Sequence, residues 1–285
     1  MLIMPKVEAN VVSWWRFEAG QDTDPSATGL VNPNEVGSEP SMVSMNATIG
    51  TNSPDLFDTT VPGANVSNTG SVRSVINGRG DDGIFGTAAY SSTLDVNSIT
   101  VEFWMRTTES DAGFVARTTN FAEAGETGNL SNGFRIVDPD NVRVDFWTSQ
   151  NNGSGTQLRT LTSNVSVNNG AWYYIAFTYD QATGIANLYV GNPLTPAASG
   201  DFTNNRRLWW GSSSAEPEVI IGYRMDGNPN NNTGTLDEIR FTDFALPPDQ
   251  FLAVPETSQI AALIVLGLLV CFSQRRRLTK IVAPS

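Results

Sequence analysis

The sequence contains no histidine. Ser/His/Asp and Cys/His catalytic triads, two-histidine metalloprotease helices and most zinc or iron sites need an imidazole, so these classes are excluded. Cysteine is nearly absent, and the single residue, Cys271, lies within an apolar run. The sequence therefore predicts no intramolecular disulfide and a fold held together by packing, as in cysteine-poor exported bacterial proteins.

Basic residues are scarce as well. The chain has 17 Lys and Arg against 29 Asp and Glu, a formal net charge of −12. Between Asn10 and Gln250 the imbalance is larger, with 12 basic and 27 acidic residues and a net charge of −15. So negative a body repels phosphate backbones, which excludes nucleic acid as a partner and favours cations or neutral glycans.

Before residue 260 no segment shows a 3.6-residue apolar stripe, whereas short β-rich runs alternate with Asn, Ser, Thr and Gly clusters. The body is therefore predicted to be all-β. A five-residue loop from Asp180 to Gly184 joins two of the strands in a hairpin. The stretch over residues 21–70 has few apolar anchors and is interpreted as a loop-rich insertion or a poorly ordered segment. The predicted strands cover residues 11–18, 99–107, 134–136, 142–147, 157–161, 171–179, 185–190, 219–223 and 236–242.

Four segments carry a family resemblance. The chain opens with VSWWRFE over residues 12–18, continues with ITVEFW over 99–104 and the Trp172 hairpin, and closes with GTLDEIRF over 234–241 followed by Ala245-Leu246. Most of residues 11–252, with the stretch over 21–70 unmatched, resembles the laminin-G-like, concanavalin A-like jelly roll. The resemblance implies a two-sheet antiparallel sandwich.

The catalytic pattern of glycosidases with this fold is missing. Such enzymes place carboxylates at alternate strand positions, so that both share one face about 5 Å apart. Glu102 stands alone on its strand, and Asp237 and Glu238 are adjacent, so a regular strand would point them to opposite faces. The sequence therefore predicts a protein that is not an enzyme, although carboxylates from distant strands could still converge.

Calcium is the one cofactor that the residues favour, because it needs only oxygen ligands. The family resemblance implies a structural Ca²⁺ at the rim of the sandwich, with Asp237 and Glu18 as candidate ligands. In the alternative interpretation, Asp237 accepts hydrogen bonds from turn amides and Glu238 pairs with an arginine.

Two tryptophan pairs, Trp14-Trp15 and Trp209-Trp210, suggest sugar binding. Trp15 shares a strand face with Phe17 and is predicted to lie in the core. Trp209 and Trp210 lie between polar segments, so at least one is expected at a surface loop, where it could stack against a sugar. Both are therefore candidate ligand-binding residues.

The C-terminal region over residues 253–285 differs from the body. Residues 260–272 are uninterrupted apolar residues followed by Arg275, Arg276 and Arg277, which predicts a short transmembrane helix with a cytoplasmic basic stop. A buried core helix is the alternative. Before the helix stand Val254, Pro255 and Glu256, and the whole tail resembles a PEP-CTERM sorting signal, which implies processing by an exosortase-like enzyme. Thr257 replaces the second proline of that signal, so a plain anchor stays open.

This orientation places the body outside the cytoplasm. Residues 1–10 lack a full signal peptide, but Val7-Glu8-Ala9 fits the small-x-small pattern before a cleavage site, so they are interpreted as a signal-peptide remnant. The leading hypothesis is a non-catalytic, exported cell-envelope or extracellular-matrix protein that binds glycan or envelope proteins, anchored in the membrane and then released to the surface. A lectin-like carbohydrate-binding module and a glycoside hydrolase are the alternatives.

Overall fold

The computed structural model describes residues 10–16, 31–32, 36, 40–44, 72–73, 86–110, 112–119, 132–150, 154–202, 207–211, 216–223 and 234–253. In these residues the strands form two sheets, and every strand pair is antiparallel. The predicted all-β, two-sheet antiparallel sandwich is confirmed. Its core lies between the sheets and takes apolar side chains from both.

The first sheet has seven described strands in the order β1-β16-β6-β11-β12-β13, with β4 added beside β16. Central strands β6, β11 and β16 are long and buried. The strands are β1 (Val11–Trp15), β4 (Val72–Arg73), β6 (Ile99–Thr107), β11 (Tyr173–Asp180), β12 (Ile185–Val190), β13 (Ala198–Asp201) and β16 (Gly234–Thr242).

The second sheet has nine described strands in the order β10-β9-β8-β7-β15-β5-β3-β2, and β14 pairs with β9. Two short 3₁₀ helices, Ser92–Leu94 and Pro248–Gln250, complete the regular elements of the described residues. The strands are β2 (Val31–Asn32), β3 (Met42–Ser44), β5 (Gly86–Ala88), β7 (Gly113–Thr118), β8 (Phe134–Val137), β9 (Arg143–Ser149), β10 (Gln157–Thr162), β14 (Arg207–Leu208) and β15 (Glu218–Tyr223).

Aromatic rings join the two sheets across the core. Phe177 on β11 contacts Phe134 on β8 and Phe146 on β9, with ring centroids 6.1 and 5.1 Å apart. Trp15 is fully buried and meets Phe241 edge-on at 5.8 Å, which confirms its predicted core position. Each such ring contributes roughly 1.5–3 kcal/mol through burial.

Strand β6 has the predicted bounds, and its two faces are both covered. Val101, Phe103 and Met105 belong to the main core. Trp104 points to the opposite, outer face, where it joins a second apolar cluster with Tyr174, Tyr189, Leu246 and Phe251. This cluster forms because residues 244–253 run across the outer face of the seven-stranded sheet; we call them the C-terminal strap.

Within the predicted loop-rich insertion over residues 21–70, the structure describes two short strands, β2 and β3. Strand β3 pairs with β5, and Met42 on β3 is buried in the main core. Part of this stretch therefore extends the nine-stranded sheet. The signal was weak because each strand is only two or three residues long, which is too short for alternation to be visible.

Several predictions fall outside the described residues: residues 1–9 of the signal-peptide remnant, Glu18, the sorting motif Val254, Pro255 and Glu256, the apolar helix, and Arg275, Arg276 and Arg277. In the part of the chain that the structure describes, no helix is long and apolar enough to cross a membrane.

Candidate functional site

The outer face of the nine-stranded sheet is defined by alternation along β9. Val144 and Phe146 point into the main core, so Arg143, Asp145 and Trp147 point outward. Trp147 is half-buried. Directly opposite it on β10 lies Leu158, which is 41% exposed.

Trp209 extends this row on the other side of β9. Strand β14 pairs Leu208 with Thr148, and the next residue continues the ladder, because the Trp209 amide donates to the Trp147 carbonyl at 2.9 Å. Leu208 and Trp210 on either side of Trp209 both lie in the core, so the half-buried Trp209 points outward beside Trp147. We call Trp147, Trp209 and Leu158 the aromatic row.

Trp210 occupies a different environment, and its predicted role as a ligand-binding residue is not supported. It is only 7% exposed, and its Nε1 donates to the Val96 carbonyl at 2.8 Å. One ring face carries the Arg117 guanidinium 4.2 Å from its centroid, and Phe134 packs against it. Since the protein itself occupies the ring, Trp210 has no face left for a sugar.

Gly133 is hydrogen-bonded through its backbone to both tryptophans of the aromatic row. Its carbonyl accepts from the Trp147 amide at 2.9 Å, and its own amide donates to the Trp209 carbonyl at 2.7 Å. The residue has φ +70°, and a Cβ atom would lie 1.8 Å from the Arg117 carbonyl oxygen. Only glycine therefore lets this point of the chain lie so close to Arg117 on β7 while it bonds to the backbones of Trp147 and Trp209.

Next to the aromatic row lies a compact charged network. Asp145 on β9 accepts from Arg135 Nε at 2.9 Å and from the Thr160 hydroxyl at 2.8 Å. Arg143 Nε lies 3.3 Å from the same carboxylate. One buried carboxylate therefore serves two guanidinium groups, and the network holds a surplus positive charge.

The outer face of the seven-stranded sheet carries carboxylates instead. Glu102 is fully buried and accepts from the Tyr174 hydroxyl at 2.6 Å, the Leu252 amide at 2.8 Å and Arg240 Nε at 2.6 Å. Burial is the largest cause that raises the pKa of the Tyr174 phenol well above its usual value, with the neighbouring Glu102 charge next. Glu102 thus connects three strands and the C-terminal strap.

Asp237 and Glu238 lie in a β-bulge, so the prediction that they point to opposite faces is wrong. The β16–β6 register shifts between Asp237 and Arg240, and Glu238 has φ +52°. The extra residue places Asp237 opposite Trp104 and sends the Glu238 carboxylate to the same outer side, where Trp14 Nε1 donates to it at 2.7 Å.

These contacts match the alternative to calcium binding. The Glu238 amide donates to Asp237 Oδ1 at 2.8 Å, and Glu238 pairs with Arg16 at 3.1 Å. Calcium takes six to eight oxygen ligands, whereas the described residues contain no group of three acidic, histidine or cysteine side chains that could hold a metal. The predicted partner Glu18 lies outside the described residues, so the calcium site stays a prediction.

The two faces thus differ in what they offer to a partner. Glu102, Asp237 and Glu238 are all fully buried, so these three carboxylates of the seven-stranded sheet serve the fold. The aromatic row of the nine-stranded sheet keeps surface open to solvent. Residues 79–250 match the family described as the Concanavalin A-like lectin/glucanases superfamily, over more than half of the chain. The chain belongs to this superfamily.

Individual relatives of this concanavalin A-like chain are distant. It is 25% identical over 175 residues to the rat (Rattus norvegicus) protein named sushi, von Willebrand factor type A, EGF and pentraxin domain-containing protein 1. That match covers 59% of this chain but 4% of the rat protein. The chain therefore corresponds to one small region of that much longer protein.

Two solved structures are similar to this chain at low sequence identity. The binding domain of botulinum neurotoxin serotype D has a TM-score of 0.50 at 9% identity, covering 84% of this chain and 48% of its own. The CBM40 of the Ruminococcus gnavus IT-sialidase, bound to α2,3-sialyllactose, has a TM-score of 0.43 at 12% identity, covering 64% of this chain and 95% of its own. At such identities the likeness concerns the fold alone.

Trp147 and the Asp145 network were missed by sequence reasoning. The strand over 142–147 was predicted, and its alternation already separates Val144 and Phe146 from Asp145 and Trp147. That signal could have identified Trp147 as outward-facing. Its proximity to Trp209 could not be inferred, since the two residues are 62 positions apart.

Proposed function

We propose that this chain is a non-catalytic, exported binding protein of the cell envelope or extracellular matrix, and that its glycan or protein ligand docks on the outer face of the nine-stranded sheet. The observation that carries the proposal is the aromatic row, in which Trp147 and Trp209 occupy neighbouring outward positions and are partly exposed. Partly exposed aromatic rings next to a few placed polar groups are typical of binding sites.

The aromatic row suits a flat, partly apolar partner. The C–H groups on a pyranose face pack against an indole ring, while the sugar hydroxyls need donors and acceptors at its rim. Thr160 is exposed next to the row, and Arg143 keeps 29% of its side chain in solvent. A protein partner would use the same tryptophans as anchoring residues.

Burial of the carboxylates supports the absence of catalysis. A general acid or nucleophile must contact the reacting bond, but Glu102, Asp237 and Glu238 are fully buried and hold hydrogen bonds or ion pairs. The C-terminal strap also lies over Glu102, because the Leu252 amide donates to it. A hydrolase on this scaffold would need other carboxylates.

Export and sorting form the second half of the proposal and rest on the tail. An exosortase-like enzyme would cut near Val254, Pro255 and Glu256, after the membrane helix and its arginines had held the protein at the bilayer. The intact mass of protein recovered from its native host decides this point. Loss of the residues after about Glu256 supports sorting, whereas a full-length mass contradicts cleavage.

Binding itself is tested on a glycan array and against envelope extracts. We expect Trp209→Ala and Trp147→Ala each to lower affinity about tenfold or more, since a buried aromatic contact is worth at least 1–2 kcal/mol. Trp172→Ala is the matched control, because this half-buried tryptophan packs on the other sheet with Arg106 over its ring. Turnover of any polysaccharide by the purified chain would contradict a non-catalytic role.

A further inference from the structure

On the outer face of the nine-stranded sheet, the sign of the charge is opposite to that of residues 10–250 as a whole. At the outward positions of β8, β9, β10 and β14, register places three arginines, Arg135, Arg143 and Arg207, and one acid, Asp145. The body as a whole has more than twice as many acidic as basic residues. A strip with three cations and one anion is therefore a local exception.

Asp145 does not neutralise this strip. Its carboxylate is already held by Arg135, whose side chain is only 10% exposed, and by Thr160. Arg143 lies farther from Asp145, at 3.3 Å, and is 29% exposed. Arg207 lies opposite Ser149 and is partly exposed. Arg143 and Arg207 therefore leave two positive charges for a partner.

Apart from Asp145, the acids nearest to Arg135 and Arg143 along the chain belong to the turn between β8 and β9, and the acid nearest to Arg207 is Asp201 at the end of β13. Asp138 accepts from the Asn141 amide at 3.2 Å, and Asp140 accepts from Asn168 at 2.5 Å. Both carboxylates stabilise the turn region beyond the strand ends. They flank the end of the strip at Arg143.

The two arginines bracket the aromatic row along the strand direction. Trp147 lies four residues from Arg143 and two residues from Ser149, the partner of Arg207. At about 3.4 Å per residue, the charges flank the ring at distances of roughly 14 and 7 Å along the strand. This spacing suits an extended chain with a flat ring at its centre and anionic groups on both sides.

From this juxtaposition we propose that the ligand is an acidic glycan, a polysaccharide whose sugars stack on Trp147 and Trp209 and whose carboxylates bind Arg143 and Arg207. The inference rests on the proposed binding function and narrows its ligand. Guanidinium groups bind carboxylates through paired hydrogen bonds. A neutral glycan would gain nothing from the local positive charge.

The test compares each acidic polysaccharide with a neutral copy of itself. Polygalacturonate and alginate are titrated into the full chain by calorimetry, alongside their carboxyl-reduced forms. We expect binding of at least one acidic polymer, a tenfold or greater loss on carboxyl reduction, and weaker binding as salt rises from 50 to 500 mM. The double variant Arg143→Gln/Arg207→Gln lowers acidic-polymer affinity at least tenfold and leaves the reduced polymer unaffected.

Arg106→Gln is the matched control, because this partly buried arginine lies over Trp172 on the other sheet; unchanged thermal midpoints show that each variant folds. Equal binding of acidic and reduced polymers, lost on Trp147→Ala, overturns the acidic ligand but leaves the proposed function standing. Failure of both acidic polymers, or equal binding of single-stranded oligonucleotides, also overturns it. Binding that survives Trp147→Ala and Trp209→Ala overturns the proposed function itself.

Discussion

At the scale of single residues, Glu102 shows how position in the chain hides a role. The sequence places it alone on β6, and the structure gives it partners 72, 138 and 150 residues away: Tyr174, Arg240 and Leu252. Strand periodicity predicts which face a residue occupies, but it does not predict which distant strand will lie beside it. The location of Glu102 could be inferred from the sequence, whereas its partners could not.

Tyr174 predicts a pH dependence of stability. Burial and the neighbouring Glu102 raise the pKa of this phenol well above its usual value of 10. Between about pH 10 and the folded pKa, the unfolded chain has lost the proton that the folded chain keeps, so unfolding releases a proton. The contribution of this phenol to the free energy of unfolding should therefore be fully present below pH 10. Above pH 10 it should fall by about 1.4 kcal/mol per pH unit.

Tyr174→Phe tests this by urea denaturation between pH 8 and 11. The variant loses the hydrogen bond to Glu102 and starts less stable by about 1–3 kcal/mol, but its stability should fall less steeply above pH 10. A residual slope is expected from Tyr189, whose pKa burial also raises. Parallel curves for both proteins would show that Tyr174 does not retain its proton in the folded state.

At the scale of elements, the strands that the sequence predicted best are those with strong β composition. Strands β6 and β12 have the predicted bounds. Strand β7 was missed although it is central, because all six of its residues are buried and no alternation marks it. The bulge at Glu238 was missed for a related reason, since one inserted residue leaves no periodic signal of its own.

The close packing of Gly133 against Arg117 predicts that an added methyl group will clash. Gly170 is a comparison position at which an added methyl group has room. Gly133→Ala places a methyl group 1.8 Å from the Arg117 carbonyl oxygen, at φ +70°. Gly170→Ala has a similar φ, +78°, but its new methyl meets only the Thr108 Cγ2 atom at 3.4 Å. Both variants pay about 1–2 kcal/mol for the left-handed backbone.

Gly133→Ala should lose roughly a further 1–3 kcal/mol, because β7 and β8 must move apart. Urea denaturation of both variants measures the difference. Ligand affinity should also fall for Gly133→Ala alone, since Gly133 carries the hydrogen bonds to Trp147 and Trp209. Equal losses of stability in the two variants would mean that the backbone near Arg117 moves at little cost to accommodate the added methyl group.

At the scale of the whole molecule, a few motifs located the sandwich correctly, because the closing segment over 234–241 lies between β1 and β6 and organises one sheet. The outer surfaces were harder to predict. The strong negative net charge favoured cations or neutral glycans as ligands, yet arginines gather on one face of the nine-stranded sheet. Net charge describes a molecule at long range, whereas a binding face is set by the few side chains that register brings together.

The C-terminal strap predicts where the folded body ends. Phe251 packs on Tyr174 and Tyr189 at 6.0 and 5.0 Å, and Arg240 donates to the Gln250 carbonyl at 3.1 Å. A chain ending at Ala253 keeps these contacts and should match the full chain in its free energy of unfolding. A chain ending at Asp243 exposes the second apolar cluster. It also loses the hydrogen bond that the Leu252 amide donates to Glu102.

We expect the shorter chain to lose more than about 4 kcal/mol, since Phe251 alone is worth roughly 3–5 kcal/mol when truncated. That is a large part of the 5–15 kcal/mol by which domains are usually stable. Denaturation curves and the tryptophan emission of Trp104, which is 6% exposed with the strap in place, follow the loss. If the chain ending at Asp243 were as stable as the chain ending at Ala253, the strap would be an appendage and the body would end at β16.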